Sequence, residues 1–514
     1  MRRADEIKKV VLGKPISIEE FVAVSRFFAK VEFSEEYCER VRKSRKIVEQ
    51  CVADERPVYG TTTGFGALVT QAIDSSQAEK LQRNIIITHS TSVGKPFEEE
   101  QVRAIMLMVL QSLGRGVSGV RLELLEKYRD MLNKRVVPYV PREGSVGYLC
   151  AEAHIATVLI GEGRAWYQGE LLEAKEALKR AKMEPFVLSY KEGLSLTNGE
   201  TSPTALAALG IYDLRKASKS ADIVAAMTLE ALGGLIRAYD THVTDCRPQK
   251  ELIKTAENQR RILKDSKVVE KAAGSHLQDP LSIRCVPQLH GAVKRVLEDA
   301  WDVISCEINS CADNPIVYGS GEEPDVYSNG NPDAAYVGIE MDAACVAAVN
   351  LAKMSERRNA RFLDQNLSKM PWFLVANPGL NSGLMIPQYT QAGLLNDLRM
   401  LAHPSTCDSV STSAGQEDYV SMGYNACKKS IEVVEKLEYV LAIEVMSAYQ
   451  AQQFVDEKLQ RGLGTDVVYQ ALKERIPVMK EDMYLYPHLE MLKEFIHSGE
   501  MLKLVEEQVG ELNG

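Results

Sequence analysis

The sequence predicts an all-α protein, a bundle of long central helices joined to a mixed, mainly helical N-terminal part. Three observations carry that prediction: apolar residues recur at helical spacing over long windows, those windows are rich in alanine and other small residues, and no useful apolar–polar alternation occurs outside short loops. In 289–308, Leu289, Val293, Val296, Leu297, Ala300, Trp301, Ile304 and Ile308 fall at i, i+3, i+4 and i+7, the signature of one buried helix face. The same period runs through 206–238, 336–364 and 425–458, each about 30 residues, well above the globular mean. Long helices of this kind pack alongside one another in a bundle.

The N-terminal part is less regular. Residues 1–50 mix charge with short apolar runs, and 54–70 gathers Pro57, Gly60, Gly64 and Gly66 around Thr61, Thr62 and Thr63, a loop suited to function rather than to core. Helical character returns over 76–136 and ends at Val136-Val137-Pro138-Tyr139-Val140-Pro141, which leads into the segment Gly144-Ser145-Val146-Gly147. A second irregular patch, Gly193 to Pro203, precedes the helical body, so the predicted domains are 1–200 and 201–514.

Composition narrows the function. The chain has 514 residues, enough for a substantial core, with 61 basic and 71 acidic residues interspersed and a net charge of −10. That balance argues against a nucleic-acid footprint or a polybasic membrane patch and favours small-molecule chemistry. The ten cysteines include no Cys-x-x-Cys pair and read as free thiols of a reducing compartment. The N-terminus has no apolar core of signal-peptide length, and no run of roughly 18 uncharged apolar residues occurs, so a cytoplasmic protein is expected. Eight histidines form no His-x-x-x-His pair, and Gly60-x-x-x-Gly64-x-Gly66 lacks the Walker lysine; no metal, no cofactor and no nucleotide is expected.

Several motifs occur in one order. Val58-Tyr59-Gly60-Thr61-Thr62-Thr63-Gly64-Phe65-Gly66 is a glycine-rich loop carrying a phenol. It is followed by Leu81-Gln82-Arg83-Asn84-Ile85-Ile86-Ile87-Thr88-His89-Ser90, Leu196-Thr197-Asn198-Gly199, Gln278-Asp279-Pro280-Leu281-Ser282-Ile283-Arg284, Asp313-Asn314-Pro315, Asn381-Ser382-Gly383-Leu384-Met385-Ile386 and Gly415-Gln416-Glu417-Asp418-Tyr419-Val420-Ser421-Met422. Taken singly these are turns, surface salt bridges or satisfied core residues. Together, over roughly 55–450, they resemble the histidine and phenylalanine ammonia-lyase family. The resemblance implies an α-helical homotetramer whose active sites gather residues from several subunits. It also implies roles: Tyr59 as general base, His89, Glu417 and Met385 around an imidazole ring, and Arg284, with Gln278 in the same block, holding a substrate carboxylate. Asn198 and Asn314 fall where the family holds its electrophile or substrate. The planar fork of an arginine suits a carboxylate, and a glutamate can bond a ring nitrogen that a phenyl group lacks.

The departures are as informative. Family members follow the glycine segment with Ala-Ser-Gly, which cyclises into a methylidene imidazolone; here Gly147 is followed by Tyr148, Leu149 and Cys150. His154 arrives three residues early, so a tripeptide is missing. Leu281 replaces the usual tyrosine, and the stretch commonly Gly-Asn-Phe-His reads Gly330-Asn331-Pro332-Asp333, with Tyr336 beyond. Residues that would hold an imidazole and a carboxylate are kept, while those around the electrophile have changed.

Loss of the electrophile constrains the substrate. An ordinary α-ammonium group titrates at roughly 8, so a nearby base takes its N–H proton and leaves a neutral amine that cannot depart. Trimethylammonium has no such proton and departs as neutral trimethylamine. With an imidazole pocket this points to a histidine betaine, and the betaine-cleaving branch of the family, the ergothionases, converts ergothioneine to thiolurocanate and trimethylamine. In that reading Tyr59 removes the Cβ proton, with its pKa lowered by the cationic substrate, while Tyr148, Tyr336 and Asp333 face the methylated nitrogen. Two alternatives fit the same residues: a histidine ammonia-lyase working without the imidazolone, and a non-catalytic homologue that binds an imidazole metabolite. Sequence also leaves the ring sulfur open, so hercynine, the sulfur-free betaine, stands beside ergothioneine.

Overall fold

The computed structural model describes residues 3–56, 58–61, 63–64, 66–68, 77–319 and 324–514. Helices make up 61% of the structure and strands 7%, which is the all-α architecture expected. Pro57, Thr62 and Phe65 of the tyrosine loop lie outside the described residues.

The helices needed below are α1 (Ala78–His89), α2 (Ala151–Leu159), α3 (Glu192–Thr197), α4 (Thr201–Ala231), α5 (Val286–Glu307), α6 (Ala335–Leu363) and α7 (Gly423–Ala451). The long ones match the periodic windows closely, with two shortened ends. The window 206–238 stops being α-helical at Ala231, ahead of Gly233 and Gly234, which are poor helix-interior residues, and Ile236–Tyr239 forms a 3₁₀ turn. The window 425–458 ends at Ala451, and Gln452–Phe454 is again 3₁₀.

Two compact units form, and they are interleaved in sequence rather than divided near residue 200. The first comprises 1–212, 301–342 and 404–429; the second comprises 213–300, 343–403 and 430–514. The segments 301–342 and 404–429, expected in the C-terminal part, therefore pack with the N-terminal one. The boundaries at 212, 300, 342 and 429 fall inside α4, α5, α6 and α7, so hydrophobic periodicity gives no sign of them.

In the first unit, Lys9–Leu12 pairs in parallel with Lys30–Phe33, its side chains alternating exposed and buried. Ser17 opens the helix Ile18–Ser25 with a capping box through Glu20, and that helix ends on the buried Arg103, which donates to the carbonyls of Val24 and Ser25 at 2.7 and 3.1 Å. Val93–Pro96 pairs antiparallel with Pro141–Glu143, and this ladder delivers the chain into 144–150. Val137–Pro138, Arg164–Tyr167 and Glu170–Glu173 form a three-stranded antiparallel sheet beside it in sequence.

The second unit holds buried ion pairs between its long helices. Arg358 of α6 grips Glu444 of α7 with Nη2 to Oε2 at 2.8 Å, and Thr228 of α4 donates to the same carboxylate at 2.6 Å. Asp222 of α4 accepts from His290 and Lys294 of α5, all three buried. Such pairs contribute little net stability but penalise any other helix register. By length and composition α6 could cross a membrane, with a mean hydropathy of 1.3 over its most apolar window, yet 56% of that window is buried in protein. That is how a core helix looks.

Candidate active site

The segment 144–150 sets the geometry of the site. Ser145 is buried and donates through Oγ to the main-chain oxygen of Tyr148 at 2.9 Å, curling the chain back on itself. Leu149 and Cys150 both take positive φ, 67° and 71°, before α2 begins at Ala151. Two consecutive non-glycine residues in this region store strain. The residues present do not fit the imidazolone: Tyr148, Leu149 and Cys150 follow Gly147 with no serine or glycine to cyclise, and Tyr148 lines the cavity.

That cavity, of about 480 Å³, lies wholly in the first unit and is lined by Tyr59, Gly66, Leu68, His89, Tyr148, Leu149, Leu194, Asn198, Ser413, Ala414 and Glu417. Five of the residues expected from sequence thus come together: Tyr59, His89, Tyr148, Asn198 and Glu417. Gln82, buried on α1, fixes the tyrosine loop by donating to the Gly60 carbonyl at 2.9 Å and accepting from the Leu194 N–H of α3 at 3.1 Å. The Gly66 N–H then donates to the Tyr59 phenolic oxygen at 2.8 Å.

The protein's own groups act on the Tyr59 phenol in opposing directions. Burial raises its pKa above the ordinary phenol value, the Gly66 N–H opposes that, and the Glu417 carboxylate adds to the rise. The protein alone therefore keeps Tyr59 protonated. His89, in the last turn of α1, hydrogen-bonds through Nδ1 to the Ile85 carbonyl at 2.7 Å, which assigns the proton to Nδ1 in the neutral ring. Burial lowers the His89 pKa against the opposing pulls of the Ile85 carbonyl and Glu417, so the imidazole is neutral. Glu417 is held by the Thr412 hydroxyl at 2.5 Å, and the Thr412 N–H donates to the Glu417 carbonyl at 2.8 Å.

Asn198 donates through Nδ2 to the Asn314 main-chain oxygen at 2.9 Å, and the Asn314 side chain accepts from the Asn329 N–H at 2.9 Å. Nearby in the chain, Lys191, Ser195 and Asp313 form a fully buried cluster, with Lys191 Nζ 2.6 Å and Ser195 Oγ 2.9 Å from Asp313 Oδ2. Asp333 is not among the residues lining this cavity; it lines a second cavity of the first unit, of about 560 Å³, with Tyr336. Its charge nevertheless reaches Tyr148, whose pKa is pushed up by burial first and then by Glu417, Asp333 and Tyr419.

Gln278, Arg284 and Met385 belong to the second unit and are not among the lining residues. Gln278 is exposed; Arg284 is partly buried, its Nε donating to the Asp279 carbonyl at 3.0 Å; Met385 opens the helix Met385–Leu401. Among the described residues, no lysine or arginine lines the cavity. Among the described residues, no group of three or more histidine, cysteine, aspartate or glutamate side chains could hold a metal ion.

Sequence reasoning missed Leu194, Ser413 and Ala414 as wall residues and Thr412 as the anchor of Glu417. The only signal was their position in or beside the motifs around Asn198 and Glu417.

Comparison with known proteins identifies the family. Residues 16–474 match the family described as aromatic amino acid lyase. A histidine ammonia-lyase of Alkaliphilus oremlandii is 41% identical over 507 residues, covering 98% of this chain and 99% of that protein. The crystal structure of histidine ammonia-lyase from Trypanosoma cruzi superposes with a TM-score of 0.91 at 34% identity, covering 98% of this chain and 96% of that one. The ergothionase of Treponema denticola, an ergothioneine-degrading enzyme solved with desmethyl-ergothioneine sulfonic acid, superposes with a TM-score of 0.89 at 29% identity, covering 96% and 99%.

Proposed function

The chain belongs to the aromatic amino acid lyase family and is a carbon–nitrogen lyase of ammonia-lyase type, and from that premise we propose that it eliminates trimethylamine from a histidine betaine, ergothioneine first among them, to give thiolurocanate. The observation that carries this reading is the segment Gly147-Tyr148-Leu149-Cys150, which cannot cyclise into the family's electrophile. A fully alkylated nitrogen has no N–H proton to lose and can depart as a neutral amine without one. The charge of the pocket supports the same substrate: its described lining residues include the Glu417 carboxylate and a neutral His89.

In the reaction the Tyr59 phenolate takes the Cβ proton, the C–H pair becomes the Cα=Cβ bond, and the C–N pair leaves on trimethylamine. The cationic substrate offsets the burial that raises the Tyr59 pKa, so the base is activated on binding. Glu417 and His89 hold the ring, and Asn198 stands beside them. Arg284, Gln278 and Met385 would be supplied by another copy in a homotetramer with shared sites. The fully exposed Leu277 and the exposed Leu281, which flank Gln278, support such an assembly. A cytoplasmic location goes with this reading.

Offering ergothioneine, hercynine and L-histidine to the purified protein tests it. The expected result is trimethylamine, with the ultraviolet absorbance of the acrylate product, and an intact mass equal to that of the unmodified sequence. Rapid ammonia release from histidine without trimethylamine from either betaine would overturn it. That outcome is the second reading, an ammonia-lyase acting on L-histidine, which the 41% identity to a curated histidine ammonia-lyase favours.

A further inference from the structure

We propose that Tyr148, Tyr419 and Asp333 form the subsite that receives the methylated ammonium group of the substrate, occupying the place that the lost tripeptide vacated. This rests on the betaine reading and specifies how the pocket recognises the leaving group.

Three segments of the first unit converge there through contacts that only glycine allows. A methyl group at Gly147, which has φ +148°, would lie 2.7 Å from Ser421 Oγ, so the 144–150 turn sits directly on the segment carrying Tyr419. A methyl group at Gly423 would collide with the Ala334 main-chain oxygen, which brings that same segment against the start of α6. Tyr148 follows Gly147, Tyr419 stands two residues before Ser421, and Asp333 precedes Ala334. Two phenols and a carboxylate are thereby gathered at one junction, and Tyr148 is the member that reaches into the cavity beside Tyr59 and Glu417.

The groups suit a quaternary cation. Asp333 is fixed by accepting the Ala335 N–H at 2.7 Å and by donating its own N–H to the Gly330 carbonyl at 3.0 Å, and it has no ion-pair partner among the described residues. Its charge is felt at both phenols, which burial and Asp333 together hold neutral, leaving their π faces intact. A trimethylammonium group has no N–H to donate, so it is recognised by aromatic faces and by a nearby carboxylate rather than by hydrogen bonds. Because its charge disappears as trimethylamine departs, the subsite stabilises bound substrate more than the transition state. Changes here should act on KM more than on kcat.

Steady-state kinetics with the betaine on the full-length protein test this. Asp333→Asn, Tyr148→Leu and Tyr419→Leu should each raise KM about three- to thirtyfold with kcat within about threefold. Tyr148→Phe, which keeps the ring, should restore the wild-type KM. Tetramethylammonium chloride should compete with substrate, and its inhibition should weaken in Asp333→Asn, whereas inhibition by imidazolepropionate, which lacks the ammonium group, should not change. If wild type releases trimethylamine and the three variants keep its KM, the subsite is wrong while the reaction stands. If no betaine is turned over, the reaction is wrong, and calorimetric titration with tetramethylammonium decides the subsite: binding that weakens in Asp333→Asn supports it, and no binding to wild type overturns it.

Discussion

The Gly66 N–H donates to the Tyr59 phenolic oxygen across 2.8 Å inside a cavity whose burial and acidic neighbour raise the pKa of that phenol. In the proposed reaction the active form of the base is the phenolate, so raising its pKa lowers the competent fraction at neutral pH. In the free enzyme, kcat/KM should therefore climb about tenfold per pH unit through neutrality, with no plateau below about pH 10. The kcat profile should level off at lower pH, because bound cation stabilises phenolate. Tyr59→Phe should cost about 10²–10⁴-fold in rate; a variant with full activity would remove Tyr59 from the reaction.

Asn198 and Asn314 act as one bracket. Asn198→Ala removes the donor to the Asn314 carbonyl at 2.9 Å and should lower stability by about 1 kcal/mol. Because Asn198 also lines the cavity, KM should rise as well. Thermal unfolding and kinetics on the same preparation separate the two effects, and an unchanged melting temperature would show that the bond contributes nothing.

The cluster of Lys191, Ser195 and Asp313 predicts an unequal pair of mutants. Lys191→Met strands a fully buried carboxylate and should cost about 3–5 kcal/mol, while Ser195→Ala, which leaves the ion pair intact, should cost about 1 kcal/mol. Urea unfolding reads both. Equal losses would mean that the ion pair is not the dominant interaction.

His154 sets an acid limit. Burial depresses its pKa to about 4, and its Nε2 accepts the Ser92 N–H at 3.1 Å, so the ring is neutral in the fold. Above the ordinary value of about 6.5 neither state is protonated and no penalty arises. As pH falls from there towards 4, the unfolded chain binds the proton and the folded one does not, so stability drops by up to about 1.4 kcal/mol per pH unit; below 4 the loss stays constant. His154→Gln should flatten that slope in a plot of unfolding midpoint against pH.

The helices were legible because their buried faces repeat in the sequence, and the windows erred only at their ends, where Gly233 and the 3₁₀ turn at Gln452 stop a pattern that hydrophobicity alone continues. Tyr59, His89, Asn198 and Glu417 were legible as motifs. Gln278, Arg284 and Met385 looked equivalent to them, since motif order does not encode which unit a segment joins. The Lys191–Asp313 pair joins residues 122 positions apart, and Thr412 reaches Glu417 through a turn; neither leaves a local trace. The rise in the Tyr59 pKa is a property of burial, which a loop sequence does not announce.

The interleaved first unit also bears on biosynthesis. Its last segment, 404–429, carries Glu417, so a nascent polypeptide has no finished pocket until that segment has left the ribosome. An N-terminal fragment ending near residue 200 would carry the tyrosine loop into solution without its far wall. Proteolysis between residues 212 and 404 would cut the connection that brings Glu417 to Tyr59, leaving the cavity dependent on pieces that must find each other again.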